Sequence, residues 1–70
     1  MTMHTDTSTV LEGKWNQLKG KVQETWGDLT DDDLDRINGR YEQLVGTLQE
    51  RYGYSRQRAE SEVDTFLREF

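Results

Sequence analysis

Cysteine and proline are both absent from the 70-residue chain, and histidine occurs once, as His4. Without cysteine there is no disulfide and no thiolate metal site. A single histidine rules out a multi-histidine metal centre within one chain, and its polar surroundings argue against a paired catalytic imidazole. The lack of proline leaves helix propagation unblocked along the whole length. No apolar run approaches the roughly 20 residues needed to cross a bilayer. The first ten residues, MTMHTDTSTV, lack the basic and apolar blocks of a signal peptide. The expected compartment is therefore the cytoplasm, with no membrane association. Size permits one domain with a small core.

Charge is plentiful. Nine basic and fourteen acidic residues give a net charge of −5. An acidic balance disfavours nucleic acid and anionic membrane partners unless basic groups are segregated on one face.

The most specific feature is an internal repeat. Residues 13–27, GKWNQLKGKVQETWG, align without a gap on residues 39–53, GRYEQLVGTLQERYG, at an offset of 26 with seven of fifteen positions identical. Four more positions are conservative: Lys14/Arg40, Trp15/Tyr41, Val22/Leu48 and Trp26/Tyr52. In the first copy Leu11, Trp15, Leu18, Val22 and Trp26 fall within a stripe of about 90° at roughly 100° per residue, which is a helical pattern. Ile37, Tyr41, Leu44, Leu48 and Tyr52 repeat it, with Val45 on the same face. Gly27 and Gly53 stand where left-handed caps would end these helices. Thr30 and Ser55 then stand where new helices would be capped.

The pattern predicts an all-α chain with helices over about 9–26, 31–38, 40–52 and 56–69, where Gly39 separates or bends the second and third. Ala59, Val63, Phe66, Leu67 and Phe70 give the last helix its apolar face. A small four-helix bundle of two duplicated hairpins about a pseudo-two-fold axis is the expected architecture. Residues 1–8 are expected to form a flexible tail, and 9–70 a single domain.

These residues also carry a family resemblance. The stretch 13–27, continuing into Asp28–Asp33, together with QLVG at 43–46 and QERYGY at 49–54, closely resembles the CsbD-like family of small bacterial proteins. The resemblance spans about residues 11–66, leaving the first ten residues and the end at Phe70 without a counterpart. It implies a helical bundle of SAM-like arrangement and an association with general stress response. It implies no enzymatic activity and supplies no catalytic or cofactor residues.

Several candidate sites have simpler structural readings. Asp31, Asp33, Asp35 and Glu42 match positions 1, 3, 5 and 12 of a calcium-loop template, but Arg36 stands where the loop needs glycine. Aspartates at a helix N-terminus complement its dipole, so no metal is expected. The Trp and Tyr pairs, each eleven apart, resemble stacking platforms for nucleic acid. Three helical turns separate the members of each pair, however, so burial in the core explains them more simply. A helix-hairpin-helix grip on DNA would need a basic rim, and acidic residues interrupt the basic ones here.

The helix-interior glycines remain. Gly13 and Gly20 lie opposite the apolar stripe, and Gly39 and Gly46 repeat that placement. Each costs roughly 0.5–1 kcal/mol against alanine inside a helix. Close backbone approach, inheritance through duplication, and selected marginal stability all remain open as reasons. Gly13, Lys14, Gly20, Lys21, Gly39, Arg40 and Gly46 form the candidate interaction face.

The functional expectation is a non-enzymatic stress-response protein. High charge, 6 glycines and a strongly negative mean hydropathy resemble the hydrophilins, which protect other molecules during water loss. Such a protein makes weak contacts with client proteins, needs no cofactor, and is a monomer or weak homo-oligomer. An adaptor docking one specific partner on a helix face is the alternative, and a nucleic-acid-binding module ranks below both.

Overall fold

The computed structural model describes residues 9–69, which contain helices and no strand. The expected N-terminal tail, His4 and Phe70 lie outside the described residues. Residues 9–13 form a short helix, α1. It leads into α2 (Trp15–Thr25), α3 (Asp31–Ile37), α4 (Tyr41–Tyr52) and α5 (Arg56–Arg68). The last three agree with the sequence pattern to within a residue or so.

The first expected helix, 9–26, is instead broken at Lys14, whose backbone sits at φ −114° and ψ 18°. The chain bends there, and the regular ladder gives way to a tighter turn in which Gln17 N–H donates to the Lys14 carbonyl at 2.9 Å. Lys14 N–H donates to the Val10 carbonyl at 3.0 Å, and the Lys14 carbonyl accepts from Leu18 N–H at 2.8 Å. Gly39 is the neighbour at this bend. A Cβ added to Gly39 would stand 3.0 Å from Trp15 Cβ and 3.2 Å from the Glu12 Cα. The α3–α4 corner thus packs against the bend in the first copy, a long-range contact that overrides local helix propensity.

Corresponding positions of the sequence repeat occupy similar places in the elements. Lys14 and Arg40, which correspond at the 26-residue offset, are the N-cap residues of α2 and α4, and neither makes a side-chain cap hydrogen bond. Trp15 and Tyr41 then begin these two helices. Their side chains are only 7% and 3% exposed. Leu11/Ile37, Leu18/Leu44 and Val22/Leu48 are also buried in both copies. Trp26 is buried whereas its counterpart Tyr52 is half-buried and packs at the edge of the core. Val45 and, from outside the repeat, Leu29, Leu34, Ala59, Val63 and Phe66 complete the core. The Trp26 and Phe66 rings meet at 5.2 Å between centroids, joining the end of α2 to α5.

Helix termini follow local chemistry. Thr30 and Asp33 form a reciprocal capping box on α3: Asp33 N–H donates to Thr30 Oγ1 at 3.2 Å, and Thr30 N–H donates to Asp33 Oδ2 at 3.1 Å. Ser55 Oγ accepts from Arg58 N–H at 3.1 Å at the start of α5. Gly53 closes α4 in the left-handed region, at φ 70°. Gly27 does not do the same for α2. That helix ends through Trp26 at φ −120°, and Leu29 N–H donates to the Trp26 carbonyl at 3.1 Å. This tight turn buries Trp26 and Leu29 together, so the chain reverses without a left-handed residue. The left-handed cap falls on Asn38 of α3, at φ 47°.

Candidate functional site

The glycine row divides into two kinds. A Cβ added at Gly13, Gly20 or Gly46 would meet nothing within 4 Å, whereas Gly39 is buried against Trp15 and Glu12. Gly39 therefore belongs to the interior rather than to an exposed interaction face. Its φ of 80° and its close contact both favour glycine. Lys14, Lys21 and Arg40 are exposed. Lys21 pairs with Glu24 on its own helix at 3.7 Å.

Beside the Gly39 contact lies a surface groove of about 420 Å³ lined by Glu12, Gly13, Trp15, Asn16, Asn38 and Arg40. Of the seven candidate residues, the fold gathers Gly13 and Arg40 on this groove, with Gly39 next to it. Lys14, Gly20, Lys21 and Gly46 do not line it. The bend at Lys14 and the α3–α4 corner together form the groove.

Sequence reasoning missed the strongest polar cluster. Asp33 is only 2% exposed, and its carboxylate is gripped by Arg51 from α4. Arg51 Nε donates to Oδ2 at 2.9 Å and its Nη2 to Oδ1 at 2.8 Å, a bidentate pair. Arg36 adds a contact to Oδ1 at 3.2 Å. The Arg51 guanidinium foremost, and then the Thr30 backbone N–H, pull the Asp33 carboxyl from its ordinary 3.8 to about 2. Arg51 is correspondingly raised by Asp33. The sequence marked only Thr30, as the residue capping α3.

The other residues of the calcium template are directed elsewhere. Asp35 faces Lys19 at 3.5 Å, and Glu42 pairs with Arg56, which also donates to Glu60 at 3.0 Å. Among the described residues, no three His, Asp or Glu side chains converge in a way that would hold a metal ion.

The aromatic residues serve as ties. Tyr41 Oη donates to Asp64 Oδ1 at 3.4 Å, linking α4 to α5. Burial, reinforced by the Asp64 charge, pushes the Tyr41 phenol well above its ordinary value. Tyr52 Oη accepts from Asp28 N–H at 3.2 Å, and its ring stacks on Tyr54 at 5.3 Å. The Arg58 guanidinium covers Tyr54 at 4.5 Å from the ring centroid. The resolved pKa shifts all move groups further from neutrality: Asp33 falls, while Tyr41, Arg51 and Arg56 rise. Each holds its existing charge state more firmly, which fits shape-holding contacts.

Among the described residues no helix is long and apolar enough to cross a membrane. Curated relatives share most of this chain. It is 63% identical over 59 residues to the UPF0337 protein PA4738 of Pseudomonas aeruginosa, covering 84% of this chain and 91% of that one. It is 58% identical over 59 residues to the UPF0337 protein XAC4007 of Xanthomonas axonopodis pv. citri, covering 84% and 86%. It is 61% identical over 51 residues to the UPF0337 protein YjbJ of Escherichia coli K12, covering 73% and 74%. The sequence model of the CsbD-like family matches residues 9–61, which include the repeat, the groove and the Asp33 cluster, and the chain belongs to that family.

Proposed function

We infer that this chain is a non-catalytic stress-response protein, a hydrophilic helical module that protects client proteins through weak, dispersed contacts. One observation carries the reading. Among the described residues, Val10 is the most exposed large apolar side chain, at 39%. Stable protein–protein interfaces rely on a buried cluster of aromatic, aliphatic or arginine anchors. A surface that hides its apolar side chains and displays charge of both signs favours many short-lived polar contacts. The resemblance to hydrophilins in composition, and the stress association implied by the family resemblance, point the same way.

In this reading the protein works in the cytoplasm as a monomer or weak homo-oligomer, and needs no cofactor. The architecture that goes with it is a bundle of two related hairpins in a SAM-like arrangement, with the first of four expected helices divided into α1 and α2. The matched starts of α2 and α4, with their paired buried residues, support that arrangement.

The adaptor alternative draws on the groove, where exposed Arg40 is a residue type that anchors interfaces. Drying an unrelated enzyme with this protein separates the two readings. The protective reading expects more recovered activity than with an equal mass of inert protein. Recovery no better than that control counts against protection and favours the adaptor.

A further inference from the structure

The α3–α4 corner couples a chemically labile dipeptide to a conformation that keeps it inert. Asn38 is followed by Gly39. A side-chain amide before glycine is prone to cyclise, because glycine puts no side chain in the path of its own nitrogen and leaves the backbone free to rotate. Asn38 is exposed, so water reaches the amide. Conformation is the barrier. Asn38 is held at φ 47° and ψ 39°. At that ψ the Gly39 nitrogen lies nearly trans to Asn38 Cβ across the Cα–C bond, whereas the five-membered ring requires them close to eclipsed.

Several contacts oppose the rotation. Asn38 N–H donates to the Leu34 carbonyl at 3.0 Å, and Arg40 N–H to the Ile37 carbonyl at 2.8 Å. Between them Gly39 is buried, near enough to Trp15 and Glu12 that an added Cβ would stand 3.0 Å from Trp15 Cβ. Cyclisation therefore needs the corner to lift from the bend at Lys14.

We propose that Asn38–Gly39 is a self-modification site, closed in the folded chain and opened by unfolding of the α3–α4 corner. In the open state the Gly39 nitrogen loses its proton to water and bonds to Asn38 Cγ. The Cγ–Nδ2 bond breaks and ammonia leaves, giving a succinimide. Water then adds to one ring carbonyl and breaks its bond to the Gly39 nitrogen. Addition at Cγ gives aspartate, and addition at the main-chain carbonyl gives isoaspartate. One water is consumed, one ammonia is released, and no oxidant is involved.

Both products add a negative charge at the C-terminal end of α3, where the helix dipole disfavours it. Isoaspartate also lengthens the backbone by one carbon at the place where Gly39 must meet Trp15. The modified corner closes poorly, so unfolding episodes leave a covalent record that weakens the fold.

The test incubates the full chain at neutral pH across a urea series, with peptide mass spectrometry reporting conversion at residue 38. The expected result is a native-state rate roughly tenfold or more below the unfolded rate, rising with the unfolded fraction through the transition. An Asn38→Gln chain should remain unmodified there under both conditions. A rate independent of urea overturns the proposal, because the fold would then provide no lock. Purified isoaspartate-38 protein should melt below the unmodified chain, and an unchanged melting temperature overturns the claimed weakening.

Discussion

Replacing Asp33 with asparagine removes the charge from the most buried ionisable side chain described in this protein while nearly preserving its shape. Two contributions are lost. The capping box survives in part, because an amide oxygen still accepts, so its share of the loss is a fraction of the roughly 1 kcal/mol that a cap contributes. The bidentate pair with Arg51 loses its charge assistance, and hydrogen bonds to charged groups contribute roughly 1.5–3 kcal/mol. Arg51 is 41% exposed, so solvent screens the pair and the lower part of that range applies.

The acid response gives a second route to the same magnitude. A carboxyl moved from 3.8 to about 2 on folding contributes about 2 kcal/mol, an upper figure before screening. Because the folded value is depressed, that contribution is complete above the unfolded value of 3.8 and is lost as pH falls through 2. Asp33→Asn is therefore expected to lower stability by about 1–2 kcal/mol at pH 7. In a domain of this size, whose core supplies roughly 3–5 kcal/mol, such a loss is conspicuous. Urea midpoints followed by circular dichroism at pH 7 and near pH 2 measure it. The gap between wild type and Asp33→Asn should narrow at low pH, and a cycle with Arg51→Gln should show coupling at pH 7 that fades in acid. A midpoint unchanged at pH 7, or a gap that persists undiminished near pH 2, refutes the reasoning.

Three further outcomes follow from the glycines and the carboxylates. Gly20→Ala and Gly46→Ala should each raise the urea midpoint by roughly 0.5–1 kcal/mol, since a Cβ meets open space at both sites and helix propensity improves. A loss at both would mean that the glycines serve packing. Gly39→Ala should destabilise by roughly 1–3 kcal/mol, because φ of 80° and the Trp15 Cβ contact both oppose a methyl group; a neutral result would remove the close approach from the account. Millimolar calcium should leave circular dichroism and tryptophan fluorescence unchanged, because Asp33, Asp35 and Glu42 are turned to separate basic partners. A saturable change abolished by Asp31→Asn would contradict that.

What the sequence revealed, and what it hid, follows the range of the forces involved. The apolar stripes were legible because one helical period recurs in two copies, and the buried pairs Leu18/Leu44 and Val22/Leu48 lie on them. Thr30, Ser55 and Gly53 were legible because caps act within a few residues. The break at Lys14 was not read, since nothing local forbids a helix there and the cause is contact with the distant Gly39. Its counterpart was nevertheless visible at Gly39–Arg40, and the offset of 26 would have transferred the break to the first copy. Gly27 misled for a related reason: the turn from Trp26 to Leu29 is set by burial of both side chains, and no left-handed residue is used.

The candidate face was only partly legible. Periodicity placed all four glycines opposite the stripe, but it could not show that the α3–α4 corner would fold Gly39 inward. The Asp33–Arg51 pair lies outside the repeated pattern, with Ala59 and Thr25 at the corresponding positions, so the duplication gave no hint of it. Eighteen residues separate the partners, beyond the reach of helical spacing rules.

The central claim is that the protein acts through weak contacts spread over a polar surface. Its most direct test is an NMR titration of the isotopically labelled chain with an unrelated folded enzyme. The expected result is small, fast-exchanging shifts distributed over exposed charged residues, without saturation at one equivalent. A saturable one-to-one complex confined to one face, such as the groove between Glu12 and Arg40, would contradict it.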